Sequence, residues 1–125
     1  MRRKKIELTT GEEEIMLHIW NLKEATVNDI MTEMPEPKPK YTTIATFIKL
    51  LENKDYVDHY QMGKSYVFIP LVKKEAYAKL VVANMLKNYF NGSLSNMVSV
   101  LAENDEIPAE ELEAIGNVIE GLKNK

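Results

Sequence analysis

Residues Lys38 to Pro70 read KPKYTTIATFIKLLENKDYVDHYQMGKSYVFIP, and this stretch decides the fold. Tyr41 or Thr42 opens an amphipathic helix. Ile44, Phe47, Ile48 and Leu51 recur at helical spacing as its apolar stripe, while Thr42, Thr43, Ala45, Thr46 and Lys49 hold the other face. After Lys54 the period changes to that of strands: Tyr56, Val57, His59 and Tyr60 precede Gly63-Lys64, and Tyr66, Val67, Phe68 and Ile69 follow it. Aromatic and β-branched residues on both sides of a Gly turn predict a β-hairpin. A polar, cationic helix start beside a small basic hairpin has the makings of a major-groove reader, in which phosphate contacts position side chains that touch base edges. Between Pro37 and Leu51 the bases Lys38, Lys40 and Lys49 meet no acidic residue, so a local positive face is expected.

Working upstream, Thr10 and Glu13 have the spacing of an N-cap and its capping box, opening a helix with Ile15, Met16, Ile19 and Trp20 inward. A shorter helix starts after Thr26 and carries Val27, Ile30, Met31 and Met34; Pro35, Pro37 and Pro39 end it. Three helices and a hairpin make a winged helix-turn-helix, whose third helix enters the major groove. Downstream, a long helix is predicted over Val72 to Phe90, with Asn91-Gly92 as its stop. Ser93 caps a helix bearing Leu94, Met97, Val98 and Leu101 on one side, and Pro108 precedes one bearing Leu112, Ile115, Ile119 and Leu122. Three apolar-faced helices are too few to close a core alone, so this half predicts self-association as a homodimer. The expected class is mainly α with a small β-hairpin wing: a winged-helix domain over 1–71 and helical dimerisation over 72–125.

The whole chain has 125 residues, a net charge of -3 and no Cys. An acidic total runs against the basic footprint usual for nucleic-acid binders, so the distribution of charge matters more than its sum. Without Cys there are no disulfides and no thiolate ligands, and two His fall short of the roughly four ligands of a structural zinc site. No metal or cofactor is expected. Asp58 and His59 imitate a catalytic pair, but strand neighbours point to opposite faces and no nucleophile motif accompanies them. No phosphate loop or carboxylate signature is present, which argues against an enzyme. Trp20 and the Met residues are expected in the core, and Arg2 to Lys5 as a solvated basic arm. No apolar run matches a signal peptide or membrane span, and a cytoplasmic location is expected.

Three segments carry a family resemblance: Glu12-Glu-Glu-Ile-Met-Leu-His-Ile-Trp20, Tyr41-Thr-Thr-Ile-Ala-Thr-Phe47 with Leu51-Glu-Asn-Lys54, and Tyr89-Phe-Asn-Gly-Ser-Leu-Ser-Asn-Met-Val98. In order and spacing they resemble the penicillinase and methicillin-resistance repressors of the BlaI/MecI group, over nearly the whole chain. The resemblance implies a homodimer that represses by holding a palindromic double-stranded operator. Release in that group follows cleavage signalled by a membrane-embedded zinc metalloprotease sensor. By position it puts Thr42, Thr43 and Thr46 at the groove-facing start of the recognition helix, Lys64 at the wing tip, and Lys40 and Lys49 on phosphates. It implies a cleavage position at Val100 and Leu101, where characterised relatives have Asn and Phe. Leu50 stands where members often have Arg, and Asp55 where they have Gly. Metal sensing of the copper-responsive kind is excluded by the missing Cys. Two other readings stay open: an adaptor with a winged helix that has lost DNA binding, favoured by the acidic balance and Leu50, and a regulator with a small-molecule pocket.

Overall fold

The computed structural model describes residues 6–104 and 106–125; the basic segment Arg2 to Lys5 lies outside the described residues. The chain forms two compact units, Met1–Val81 and Val82–Lys125. Its elements are α1 (Thr10–Leu22), α2 (Val27–Glu33), α3 (Tyr41–Asn53), β1 (Val57–Met62), β2 (Ser65–Pro70), α4 (Lys74–Phe90), α5 (Leu94–Glu103) and α6 (Ala109–Lys123).

Caps set the ends of the first three helices. The cap of α1 is Thr9, one residue before the expected Thr10: the Glu12 N–H donates to Thr9 Oγ1, and the Thr9 N–H donates to Glu12 Oε1 at 2.9 Å. Thr-x-x-Glu occurs in both registers, and the observed one places Glu12, 2% exposed, where Lys54 Nζ reaches its Oε1 at 2.7 Å. Helix α2 starts after Thr26, as expected, and Thr26 caps it in a box with Asp29. At its far end Lys38 Nζ donates to the carbonyls of Met31 (2.8 Å), Thr32 (3.3 Å) and Met34 (2.7 Å), so a cation satisfies the negative end of the helix.

Helix α3 closes in a Schellman turn. Tyr56 N–H donates to Leu51 O (2.9 Å) and Asp55 N–H to Glu52 O (3.0 Å), with Asp55 left-handed at φ +63°. Gly would take that conformation freely; Asp takes it at a cost. Leu51 and Tyr56, at the two ends of the longer bond, are both fully buried. This turn sends the chain directly into the wing. There β1 and β2 pair antiparallel from Val57↔Pro70 to Met62↔Ser65, and Gly63 at φ +63° takes the first place of the two-residue loop. Ala25 adds a third, one-residue strand: it exchanges N–H···O bonds of 3.0 and 2.8 Å with Phe68.

The core of the first unit is the predicted set of stripes: Ile15, Met16 and Ile19 of α1, Ile30 of α2, and Ile44, Ile48 and Leu51 of α3, closed by Tyr56 and Val57. Each such side chain contributes about 1.5–3 kcal/mol by leaving water. Tyr77, near the start of α4, belongs to this unit. Its hydroxyl accepts from the Leu8 N–H (2.9 Å) and donates to Glu13 Oε2 (3.2 Å). Burial, with Glu13 beside it, pushes that hydroxyl up to about 12. Trp20 is half-buried, its ring tilted at 39° to that of Tyr77 with centroids 5.7 Å apart, and its Nε1–H donates to Val72 O (2.8 Å). The expectation that the Met residues are core fails for Met62 and Met85, which are exposed. Met62 lies at the wing tip, where a two-stranded ribbon has no second layer to cover it.

In the second unit Asn91 (φ +51°) and Gly92 (φ +77°) turn the chain out of α4, and Ser93 Oγ caps α5 by accepting from the Asn96 N–H at 3.0 Å. The last helix follows Pro108. Neither α5 nor α6 contains a buried residue.

Candidate nucleic-acid interface

The N-terminus of α3 differs from those of α1 and α2. The other two carry capping boxes and acidic residues in their first turns; α3 has Lys40 as N-cap, no side-chain cap and no acid in its first turn. Neither its cap nor its first turn therefore offsets its partial positive charge, a condition that favours phosphate at a helix end.

Thr42, Thr43, Thr46 and Lys49 are all exposed on α3, and Lys40 is exposed at its start. Thr46 Oγ1 donates to Thr42 O at 2.8 Å, so its hydroxyl proton is already committed and the methyl and oxygen lone pairs face outward. On the neighbouring stripe, Tyr41, Ala45, Lys49 and Glu52 are spaced 4, 4 and 3 residues apart, which places them on one side of the helix. Tyr41 and Ala45 line a shallow cleft of about 220 Å³ with Lys64, Ser65, Tyr66 and Phe68 of the wing and Thr26 and Asn28 of the α2 start. Lys64 and the start of α3 thus share one surface. Lys38, counted from sequence in the same positive face, instead turns its ammonium to the α2 carbonyls.

Sequence reasoning missed several members of this region. Tyr66 and Ser65, beside the Gly-Lys tip, had a signal in their position. Asn28, in the α2 start, had none. Gly11 also escaped notice: a Cβ there would lie 2.5 Å from the Phe47 ring, so α1 approaches α3 through the missing side chain. Glu12 and Lys54 tie the same two helices. Burial alone would raise the Glu12 carboxyl, but hydrogen bonds from Lys54 and Thr9 outweigh it and hold the group below its ordinary range.

Beside the cleft, His59 Nδ1 donates to Glu52 Oε2 at 2.6 Å, and the His59 ring stands edge-on to Tyr66 at 5.0 Å. Asp58 Oδ1 accepts from the His59 backbone N–H at 2.8 Å, a local bond open to short acidic side chains. Glu52, Asp58 and His59 bring donor atoms within 4.8 Å of one another. As three open ligands they could hold an ion only with water completing the shell. The other histidine, His18, pairs with Glu33 at 2.6 Å, and with Asn21 on its second oxygen this joins α1 to α2. The His18 hydrogen bond chiefly, helped by Asn21, keeps the Glu33 carboxyl low.

The predicted dimerisation residues lie in the second unit. Leu94, Leu101, Leu112, Ile119 and Leu122 are exposed and Met97, Val98 and Ile115 half-buried. Val100 and Leu101 are 41% and 36% exposed in mid-α5. No helix among the described residues is long and apolar enough to cross a membrane.

A family model described as penicillinase repressor matches residues 8–121. The chain belongs to the penicillinase repressor family. It is 29% identical over 122 residues to the penicillinase repressor of Bacillus licheniformis, covering 95% of this chain and 94% of that one. It is 24% identical to the penicillinase repressor of Staphylococcus aureus over the full length of both. The methicillin resistance regulatory protein MecI of Staphylococcus aureus strain N315 is 27% identical over 95% of this chain and 98% of its own. Among solved structures, the DNA-binding domain of the repressor BlaI aligns with a TM-score of 0.52 at 23% identity, covering 61% of this chain and 94% of that domain. A structure of Bordetella bronchiseptica BpsR aligns over 94% of this chain and 80% of that one with the same TM-score at 10% identity. These two likenesses bear on the fold: a winged helix carrying additional helices. The family is one of transcriptional repressors, not of enzymes.

Proposed function

We propose that this chain is a DNA-binding transcriptional repressor that holds an inverted-repeat operator as a homodimer. The observation that carries this reading is the surface shared by the uncapped, acid-free start of α3 and the exposed wing-tip Lys64. In it Thr42, Thr43 and Thr46 face the major groove, offering oxygens to base edges and methyls to thymine. Lys40, Lys49 and Lys64 take phosphates, which positions the helix without reading sequence. The DNA-binding half is the first unit, whose core includes Tyr77 at the start of α4, and the helices beyond Val81 carry dimerisation.

The second unit supports the dimer, because the exposed Leu101, Leu112, Ile119 and Leu122 form apolar surface that a partner copy would cover. Two half-site contacts joined in one dimer bind far more tightly than either alone, through effective concentration. Cleavage between Val100 and Leu101 by a protease answering a membrane-embedded zinc metalloprotease sensor would cut α5 and release the operator. Such a repressor works in the cytoplasm.

A mobility-shift titration against the DNA upstream of its own gene, at two salt concentrations with nonspecific competitor, tests the reading. A discrete, salt-sensitive shift that survives competitor is expected. Thr43→Ala should weaken it by about 1–3 kcal/mol, whereas Lys64→Ala should weaken binding to every duplex alike. Equal operator affinity for Thr43→Ala, Thr46→Ala and the unaltered chain would remove α3 from the reading role.

A further inference from the structure

Three potential ligands meet where the wing leaves α3. Glu52 lies in the last turn of that helix, and Asp58 and His59 lie at the start of β1. The Schellman turn between them, closed by the bond from Tyr56 N–H to Leu51 O, fixes how far apart the two elements stand. His59 Nδ1 is 2.6 Å from Glu52 Oε2, and one donor atom from each of the three residues falls within 4.8 Å of the others. An ion bound at about 2.0–2.2 Å by nitrogen and oxygen keeps its ligands about 3–3.5 Å apart, so small side-chain rotations close this set around one.

Two further observations point to a cation. The His59 ring stands edge-on to Tyr66 at 5.0 Å and tilted to Phe68 at 5.8 Å, so packing sets its plane before any ligand arrives. Among the described residues no lysine pairs with Glu52 or Asp58; Lys54, two residues beyond Glu52, turns to Glu12 instead. The His59 and Glu52 side chains are 39% and 29% exposed, which leaves room for waters to complete a shell. One imidazole with two carboxylates suits divalent first-row transition metals, whereas Mg2+ and Ca2+ take oxygen ligands. A count of Cys and His in the sequence misses such a set, because two of its ligands are carboxylates.

We propose that Glu52, Asp58 and His59 form a site for one divalent transition-metal ion, completed by water, which clasps the wing to α3 and strengthens DNA binding when filled. The effect on DNA rests on the reading of α3 and the wing as the DNA-binding surface. The ion takes the place of the hydrogen between His59 Nδ1 and Glu52, and the imidazole binds as its neutral form with the hydrogen on Nε2. It also offsets two carboxylates beside Tyr66, which lines the cleft with Lys64.

Zinc alone is the probe. Calorimetric titration of the metal-stripped full chain should show one Zn2+ bound per chain, undisturbed by excess Mg2+. His59→Gln and Asp58→Asn should each weaken that binding by roughly tenfold or more, and His18→Gln, in the other His–Glu pair, should leave it unchanged. Thermal unfolding without zinc checks that each variant is folded. With zinc present, anisotropy of a fluorescent mixed-sequence duplex should report roughly threefold tighter binding by the unaltered chain and no gain for His59→Gln. Absence of stoichiometric zinc, displacement by Mg2+, or equal zinc affinity in His59→Gln and Asp58→Asn would overturn the site. Zinc bound at these residues with unchanged DNA affinity would overturn the coupling. Absence of any salt-sensitive DNA binding, with or without zinc, would instead fail the underlying reading, and the zinc titration would still decide the site.

Discussion

Replacing Glu12 by Ala removes an acid that lies 2% exposed between α1 and the end of α3. Breaking one side of a fully buried pair costs about 3–5 kcal/mol. Lys54 is 29% exposed, so its freed ammonium can turn to water, and the cost falls below that of a fully buried pair. The lost capping-box bond to the Thr9 N–H falls within the same loss. A destabilisation of about 2–3 kcal/mol follows, equivalent to a fall in Tm of roughly 10–20 °C for a unit of this size. The pH dependence has a definite sign. The Glu12 carboxyl is held below its ordinary 4.5 in the folded chain. Its contribution is therefore complete above the unfolded value and lost as pH falls through the lower folded one. Thermal unfolding followed by circular dichroism at fixed protein concentration, from neutral pH down to acid, measures both effects. Glu12→Gln should lose the acid limb while retaining part of the cap. A loss under about 1 kcal/mol for Glu12→Ala, or an unchanged acid limb in Glu12→Gln, would refute the assignment of this pair as a stabilising tie.

Other outcomes are expected from single features. Asp55→Gly should stabilise the first unit by about 0.5–1 kcal/mol in urea unfolding, because Gly takes the left-handed turn position without a Cβ penalty; Asp55→Ala should destabilise it. Lys38→Met removes the cation from the three α2 carbonyls and should cost about 1 kcal/mol in the same assay, with little change in the salt slope of DNA binding. Leu101→Asp places a charge on the apolar face of α5 and should shift the chain toward monomer in sedimentation, with weaker operator binding in proportion.

The helices and hairpin were legible because their apolar residues repeat locally: Ile44, Ile48 and Leu51 declare α3, and the Gly63 turn declares the wing. The start of α2 and the cap of α5 were legible for the same local reason. What sequence could not decide was settled by partners far along the chain. Thr9 wins over Thr10 because Glu12 meets Lys54, 42 residues away. Ala25 becomes a strand residue only because Phe68 arrives beside it. Lys38 looked like part of a positive face, yet the carbonyls at the end of α2 claim it, and Gly11 is explained only by Phe47. At the candidate interface, exposed Thr and Lys positions followed from the helical face, while Asn28, Tyr41 and the His59–Glu52 tie required the hairpin to be folded back against α3.

Neither α5 nor α6 buries a residue within its own chain. A solitary copy then carries a half with little to protect it, and the persistence of that half is inseparable from how many copies are present. In the dimeric reading, occupancy of the operator climbs with roughly the square of protein concentration while monomers prevail, so repression has a threshold. A few molecules made from a leaky promoter would leave the gene open and be the first degraded; a modest excess would shut it firmly. A single break in α5 would drop the population back across that threshold without any change at the DNA-facing surface.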